Sequence, residues 1–523
     1  MGGTAERLEA MTTRTAFGTP ASPGLARTAG CRGRRRGEAV LAVAICVLCV
    51  SAAAPLPAAE ISTLKESLQD ALRRDDLAGA AKAVTEIGAL DTPQALELVV
   101  LTALKSSKRR VYEACVNAFA STANEAVVDQ LARLLKSKNP AEASLAAEIL
   151  IKVEGFGEKR QKALVAAFLD LGSYPKSEAV QTVILPWLEA NGSSLWALRA
   201  LIDLRIQLAK RRIADGRLFY NLADALWKAT GQDYDKPAEW EKYWKIRAAE
   251  GERPAGEEKG EAAARKSPRG ELVRVSRTSV ARKLPKFFGM EVRSSHALFI
   301  IDVSGSMTRV DARQRAGEEP EEEPGEASAR TGRTAVAKAA RRGSKPEPDF
   351  GEPGKRTRMQ RVKRQLYRMI ERYPDGRDFA LITFGSKVEV VYAAKRGEAL
   401  HPISMNPATR AEALEKILGL TPSGLTRTDL AFETAFSFEG IDTIYLLSDG
   451  FPQRDPNYPN LPPAERQKVV DELMREIVEY VAQRNRAEGR RWEIHTFGFP
   501  EAMLGNFLQV LARENYGSYW PID

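Results

Sequence analysis

The stretch His296-Ala297-Leu298-Phe299-Ile300-Ile301-Asp302-Val303-Ser304-Gly305-Ser306 decides the fold of the C-terminal part of this chain. His296 to Ile301 is a short apolar run of the kind that forms a parallel strand buried on both faces. It delivers Asp302, Ser304 and Ser306 at its carboxyl end, where open α/β sheets place their ligands. Oxygen-bearing side chains at alternate positions converge when the loop curls, and Gly305 permits the tight backbone path. A cation is the natural occupant of such a set. Alone the string is weak, because Asp, Ser and Gly also make ordinary turns.

Two further segments strengthen it. Thr428-Asp429-Leu430 opens a helix after the turn-like Pro422-Ser423-Gly424, and Ser448-Asp449-Gly450 ends the apolar strand Thr443 to Leu447. Both fall at strand or loop ends on the side of Asp302. With these residues the region from about Phe287 to Asp523 resembles the von Willebrand factor type A domain with its metal-ion-dependent adhesion site. Asp302, Ser304 and Ser306 match that family's first motif, Thr428 its threonine and Asp449 its final aspartate. Phe379–Phe384 matches a second strand, Ile494–Gly498 a late strand, and Phe507-Leu508 with Leu511-Ala512 and Tyr519 the closing segment.

The resemblance implies a doubly wound, mostly parallel sheet. It also implies direct ligation by the hydroxyls of Ser304, Ser306 and Thr428, with Asp302 and Asp449 acting largely through water. An all-oxygen set of few charges suits a hard ion such as Mg²⁺, with Mn²⁺ or Ca²⁺ as alternatives, and leaves a position for an incoming carboxylate. The expected partner is therefore a protein presenting Asp or Glu to the metal.

Between Met307 and Met359 the family's short loop is interrupted by a segment rich in Glu, Arg, Gly, Ala and Pro. Disorder is expected over about 309–356, with the helix resuming near Thr357. The simplest reading is a neutral spacer, since loop insertions cost little closure entropy. A sharper one makes Glu321, Glu322, Glu323 or Glu326 an internal cap that competes for the metal.

Upstream, the pattern from Ile61 to about Arg247 is helical throughout. Apolar residues paint single faces at Leu96, Val99, Val100 and Ala103, and again at Val127, Val128 and Leu131. Thr92 before Pro93 and Asn139 before Pro140 supply helix N-caps with proline in the first turn. Starts near Thr92, Lys108, Asn124 and Asn139 recur at helical-hairpin spacing and resemble HEAT-type repeats, an all-α solenoid over 60–247. The aromatics Trp240, Tyr243 and Trp244 are expected to close its end. A charged linker is expected over 248–285, and the α/β module over 286–523.

The first residues, 1–59, read as a leader: Arg32, Arg34, Arg35 and Arg36 precede an apolar run from Ala39 to Val50 and then small residues. A secreted or periplasmic location follows, with cleavage favoured over anchoring to the inner membrane because the run is short for a span. Cys31, Cys46 and Cys49 lie in this leader, so only Cys115 remains afterwards and neither a disulfide nor a cysteine zinc site is available. The formal charge of +9 invites a nucleic-acid reading, but the basic residues form no single stripe, and no nucleic acid is expected.

The sequence thus favours an extracytoplasmic adhesion or assembly module and no enzyme. The alternatives are a metal-dependent hydrolase and a helical scaffold for nucleic acid. A haloacid-dehalogenase-like phosphatase needs a carboxylate where Ser304 stands, and no G-x-S-x-G elbow is present. His296 and His495 are expected to be packed strand residues, leaving no positioned base.

Overall fold

The computed structural model describes residues 58–522 except 107, 173–177, 252–283, 311–346, 353, 456 and 500–504. The leader, nearly all of the linker, and Glu321, Glu322, Glu323 and Glu326 therefore lie outside the described residues. Contacts place everything from Pro57 to Asp523 in one compact unit.

The N-terminal layer is all helix: α1 (Ala58–Arg73), α2 (Leu77–Ala89), α3 (Pro93–Lys105), α4 (Arg109–Asn117), α5 (Glu125–Leu134), α6 (Pro140–Lys152), α7 (Gly157–Phe168), α8 (Glu178–Ala190), α9 (Leu195–Lys210), α10 (Arg217–Thr230) and α11 (Pro237–Glu250). The expected caps are formed. The Thr92 side chain accepts from Ala95 N–H, Asn124 from Ala126 and Asn139 from Ala141, each satisfying a donor that the first turn leaves free. The apolar faces of these short helices meet in one core. Cys115 is free and fully buried there, and burial pushes its thiol up to about 12, which makes it inert. At the C-terminal end Tyr234, Trp240 and Tyr243 pack edge-on and Trp240 Nε1 donates to Tyr234 O, so the aromatics pack where the layer closes.

The second part begins with a small hairpin, β1 (Lys286–Phe287) and β2 (Met290–Glu291). Its strands are β3 (His296–Asp302), β4 (Asp378–Phe384), β5 (Val388–Tyr392), β6 (Ala394–Arg396), β7 (Ala399–His401), β8 (Ile403–Ser404), β9 (Thr443–Ser448), β10 (Glu493–Gly498) and β11 (Tyr519–Pro521). Its helices are α12 (Arg358–Glu371), α13 (Pro407–Gly419), α14 (Thr428–Ala435), α15 (Pro463–Ala487) and α16 (Gly505–Glu514). The main sheet runs β11-β10-β9-β3-β4-β5, parallel except for β5 and the short β8, which pair antiparallel with β4. The chain enters at β3, winds to β4 on one side and returns to β9 on the other, so the direction of winding reverses at β3. Alternation assigns the two faces. Phe299, Ile301, Phe379, Leu381, Tyr445 and Leu447 pack with Val362, Leu366 and Ile417 of α12 and α13. Leu298, Ile300, Ala380, Ile382, Ile444 and Leu446 pack with residues of α14, α15 and α16.

The helical layer docks on the amino edge of this sheet through charged groups. Arg217, 3% exposed, donates from Nη1 to the carbonyls of Asp442 and Arg491 at 3.0 Å each, and from Nε to Glu178 at 3.0 Å. Arg377 donates to Asp215 (Nε, 2.6 Å), to the Tyr220 hydroxyl (3.1 Å) and to Val292 O (2.9 Å). Asp442, Arg491 and Arg377 are the residues just before β9, β10 and β4. Gly489 brings the two backbones close together: at φ +64° a Cβ there would come within 2.5 Å of Ala141 N.

The insertion differs from expectation at its end. Residues 347–352 belong to the folded body, with Phe350 edge-on to Tyr367 and Glu347 paired with Arg364 and Arg368 of α12. Val310 bridges Thr357 antiparallel, so the segment leaves and returns at one point. Thr357 then caps α12 in a reciprocal capping box with Gln360.

Candidate functional site

The site is built at the carboxyl ends of β3 and β9, the two strands that flank the reversal. β3 ends on Asp302, which is fully buried, and the chain turns through Ser304 into a single 3₁₀ turn, Gly305–Thr308. Asp302 Oδ1 accepts from Ser304 N–H at 2.8 Å, which fixes that turn, and Oδ2 accepts from the Ser448 hydroxyl at 2.6 Å. The Ser304 and Ser306 hydroxyl oxygens stand 2.9 Å apart, and Ser306 donates to Asp449 Oδ1 at 2.6 Å. The loop that leads to Thr428 is stitched to this turn by Gly305 N–H donating to Gly424 O at 3.0 Å. Gly424, at φ +82°, has no room for a side chain against Ser386.

Asp302, Ser304, Ser306 and Asp449 thus form one hydrogen-bonded cluster. Thr428 opens α14, is 1% exposed, and its hydroxyl has no hydrogen-bond partner among the described residues. A buried hydroxyl left unpartnered costs roughly 1–3 kcal/mol, so this oxygen calls for something absent from the chain itself. The neighbouring Asp429 is held by Arg427 and Arg454. Gly305 is exposed and Ser306 half-buried, so the cluster opens to solvent at the turn.

Sequence reasoning missed two members. Ser448, which orients Asp302, stood in the Ser-Asp-Gly string and was legible there. Arg358 was not. Its Nη1 donates to Asp449 Oδ2 at 2.7 Å, with both side chains buried, and its guanidinium stands 5.2 Å from the Phe499 ring centroid. In sequence it is one of many basic residues around Thr357 and reads as part of a solvated helix start. Burial raises the Asp302 carboxyl to about 7, and the nearby Asp449 carboxylate adds to the effect. One guanidinium against two carboxylates leaves the cluster short of positive charge.

No three His, Cys, Asp or Glu residues gather as a metal cluster among the described residues. The donors here are hydroxyls and carboxylates, which suit a hard ion and no soft one. The unpartnered Thr428 oxygen and the charge deficit both fit a divalent ion. His296 pairs with Asp378 at 2.8 Å at the far end of β3, and His495 bonds Ser518 and stacks on Tyr445, so neither is near the cluster's hydroxyls.

An open, doubly wound α/β sheet with an oxygen-donor cluster at its point of reversal defines the class of the C-terminal part. Its strand order, with an antiparallel edge strand beside β4, is the doubly wound, mostly parallel arrangement expected from the sequence. No family model and no curated protein matches the chain. Among solved structures, a von Willebrand factor type A protein from Catenulispora acidiphila matches at 18% identity with a TM-score of 0.26, over 43% of this chain and 38% of its own. The conserved hypothetical protein BatB from Bacteroides thetaiotaomicron matches at 14% identity with a TM-score of 0.25, over 43% of this chain and 89% of its own. The match therefore takes in well under half of the Catenulispora chain.

Proposed function

We propose that the α/β module docks an acidic group of a partner protein on a divalent ion held at the Asp302–Ser304–Ser306 turn. The observation that carries this reading is the hydroxyl–carboxylate cluster at the ends of β3 and β9, together with a buried Thr428 hydroxyl that is unpartnered among the described residues and opens the helix after the loop bonded to that turn. Ser304, Ser306 and Thr428 would hold the ion directly, with Asp302 and Asp449 through water. A bound Mg²⁺ supplies an electrophilic position that a carboxylate can take. Arg358 sharpens the preference for an acid: two carboxylates against one guanidinium and one dication leave a single positive charge, which one partner Asp or Glu neutralises. His296 and His495 are engaged elsewhere and the Asp449 carboxylate beside Ser306 is tied to Arg358, which favours binding over catalysis. The helical layer then acts as a scaffold fixed to the opposite edge of the sheet.

The leader composition supports work outside the cytoplasm, and no helix among the described residues is long and apolar enough to cross a membrane. Two experiments test the proposal. Pull-down from an envelope fraction should recover a partner in Mg²⁺ and lose it in EDTA or with Asp302→Ala; affinity unchanged in excess EDTA would sink the ion-dependent reading. Cell fractionation should find the chain outside the cytoplasm, and leader-bearing protein in the soluble cytoplasm would reject that location. Metal-dependent turnover of phosphatase or esterase substrates that disappears with Asp302→Ala would instead favour a hydrolase.

A further inference from the structure

A cavity of about 490 Å³ lies between the helical layer and the far ends of α15 and α16, remote from the ion site. The helical layer lines it with the apolar Val116, Ile151, Val183 and Pro186 among charged neighbours, and the α/β part contributes the guanidinium groups of Arg486, Arg491 and Arg513. Arg486 is 5% exposed and stands over the Tyr112 ring at 4.4 Å, and its Nε and Nη2, packed away from solvent, have no hydrogen-bond partner among the described residues. The ring face attracts the cation without accepting its N–H bonds, so the donors remain unmet.

The carboxylates lining the same cavity are already engaged. Glu148 holds Arg491 and accepts from the Tyr112 hydroxyl at 2.7 Å. Glu514 pairs with Arg109 and Arg513, and Glu113 with Arg109 at 2.6 Å. Arg109, Arg486, Arg491, Arg513 and Lys152 outnumber Glu113, Glu148 and Glu514, leaving the cavity net positive. A buried guanidinium with unmet donors is costly, and a planar oxyanion matches its fork. Burial also holds Arg486 below its ordinary pKa, a shift that a bound anion would reverse.

We propose that this cavity is a binding site for a small organic acid, its anionic head on the Arg486 guanidinium and its apolar body against Val116, Ile151, Val183 and Pro186. The volume falls within the range of small-molecule sites, and a lining that combines apolar side chains with an excess of cations selects an amphiphilic monoanion over a bare ion. The site is independent of the divalent ion.

Calorimetric titration of the full chain tests this with octanoate, octanol and inorganic phosphate. Octanoate should bind saturably at one site, octanol and phosphate at least about tenfold more weakly, and Arg486→Met should weaken octanoate about tenfold or more, the loss of a charge-assisted hydrogen bond. Arg486→Lys, which keeps the charge without the fork, should also weaken it and decides the matter if the methionine variant does not fold. No saturable octanoate binding, or equal affinity in wild type and the Arg486 variants, overturns the site. Phosphate or octanol binding as tightly as octanoate overturns the amphiphilic ligand.

Discussion

The two edges of the main sheet carry buried charge in opposite ways. At the amino edge Arg217 and Arg377 come to rest among carboxylates and carbonyls: Glu178 and two strand-end carbonyls for the first, Asp215, Tyr220 and Val292 for the second. At the carboxyl edge Arg358 reaches Asp449 while Asp302 accepts from Ser304 N–H and the Ser448 hydroxyl, and the Thr428 hydroxyl has no partner among the described residues. Saturated charge fixes one layer on another. Charge left short of its counterpart costs stability, and the proposed ion would relieve that cost.

The contrast breaks most visibly at its saturated end. Arg217→Leu leaves Glu178 buried without its partner and frees two carbonyls, and it should lower stability by about 3–5 kcal/mol in urea unfolding. A loss below about 1 kcal/mol would mean that the layers are not held there. Next in size, Gly489→Ala introduces a Cβ at 2.5 Å from Ala141 N at positive φ and should cost about 1–3 kcal/mol, read the same way.

A smaller effect concerns pH. Burial pulls His296 down, but its bond to Asp378 and the charges of Asp442, Asp378 and Glu178 outweigh burial and raise its pKa above the ordinary 6.5. A raised folded-state value means that the contribution is complete below about 6.5 and is lost as pH rises through the folded value. Stability should therefore fall over the interval just above 6.5, and His296→Gln should flatten that slope; identical profiles would exclude the pair as its origin.

The smallest expected change in stability is the most telling. Thr428→Val removes an unpartnered hydroxyl while keeping its shape, so stability should be unchanged or slightly raised. Mg²⁺ binding measured by calorimetry should weaken about tenfold or more, as for the loss of one direct donor. A clear loss of stability with ion binding intact would show that the hydroxyl serves the fold.

The residues explain what was legible in the sequence. His296–Asp302 and Asp378–Phe384 are largely apolar runs, and strand burial on both faces demands that pattern. The caps at Thr92, Asn124 and Asn139 are local chemistry and were readable as such. Asp302, Ser304, Ser306, Thr428 and Asp449 were named through the family resemblance, which their order along the chain carries. Arg358, Arg217, Arg377 and Arg491 were illegible for one reason: a buried arginine has the same letter as a solvated one, and only tertiary contact tells them apart. The packed end of the insertion hid in the same way, since Phe350 and Glu347 sit in a charged run whose composition alone argues for disorder.

The bridge between Val310 and Thr357, reinforced by Arg358 N–H donating to Arg309 O at 3.0 Å, pinches the insertion shut where it meets the body. Because both ends are pinned by local backbone bonds, lengthening the sequence between them adds closure entropy that grows only logarithmically and need not tug on Ser306 or Arg358. The pinch works as a port for evolutionary tinkering: cargo of many lengths can be grafted there, always delivered to the lip of the same site, without renegotiating the chemistry beneath it.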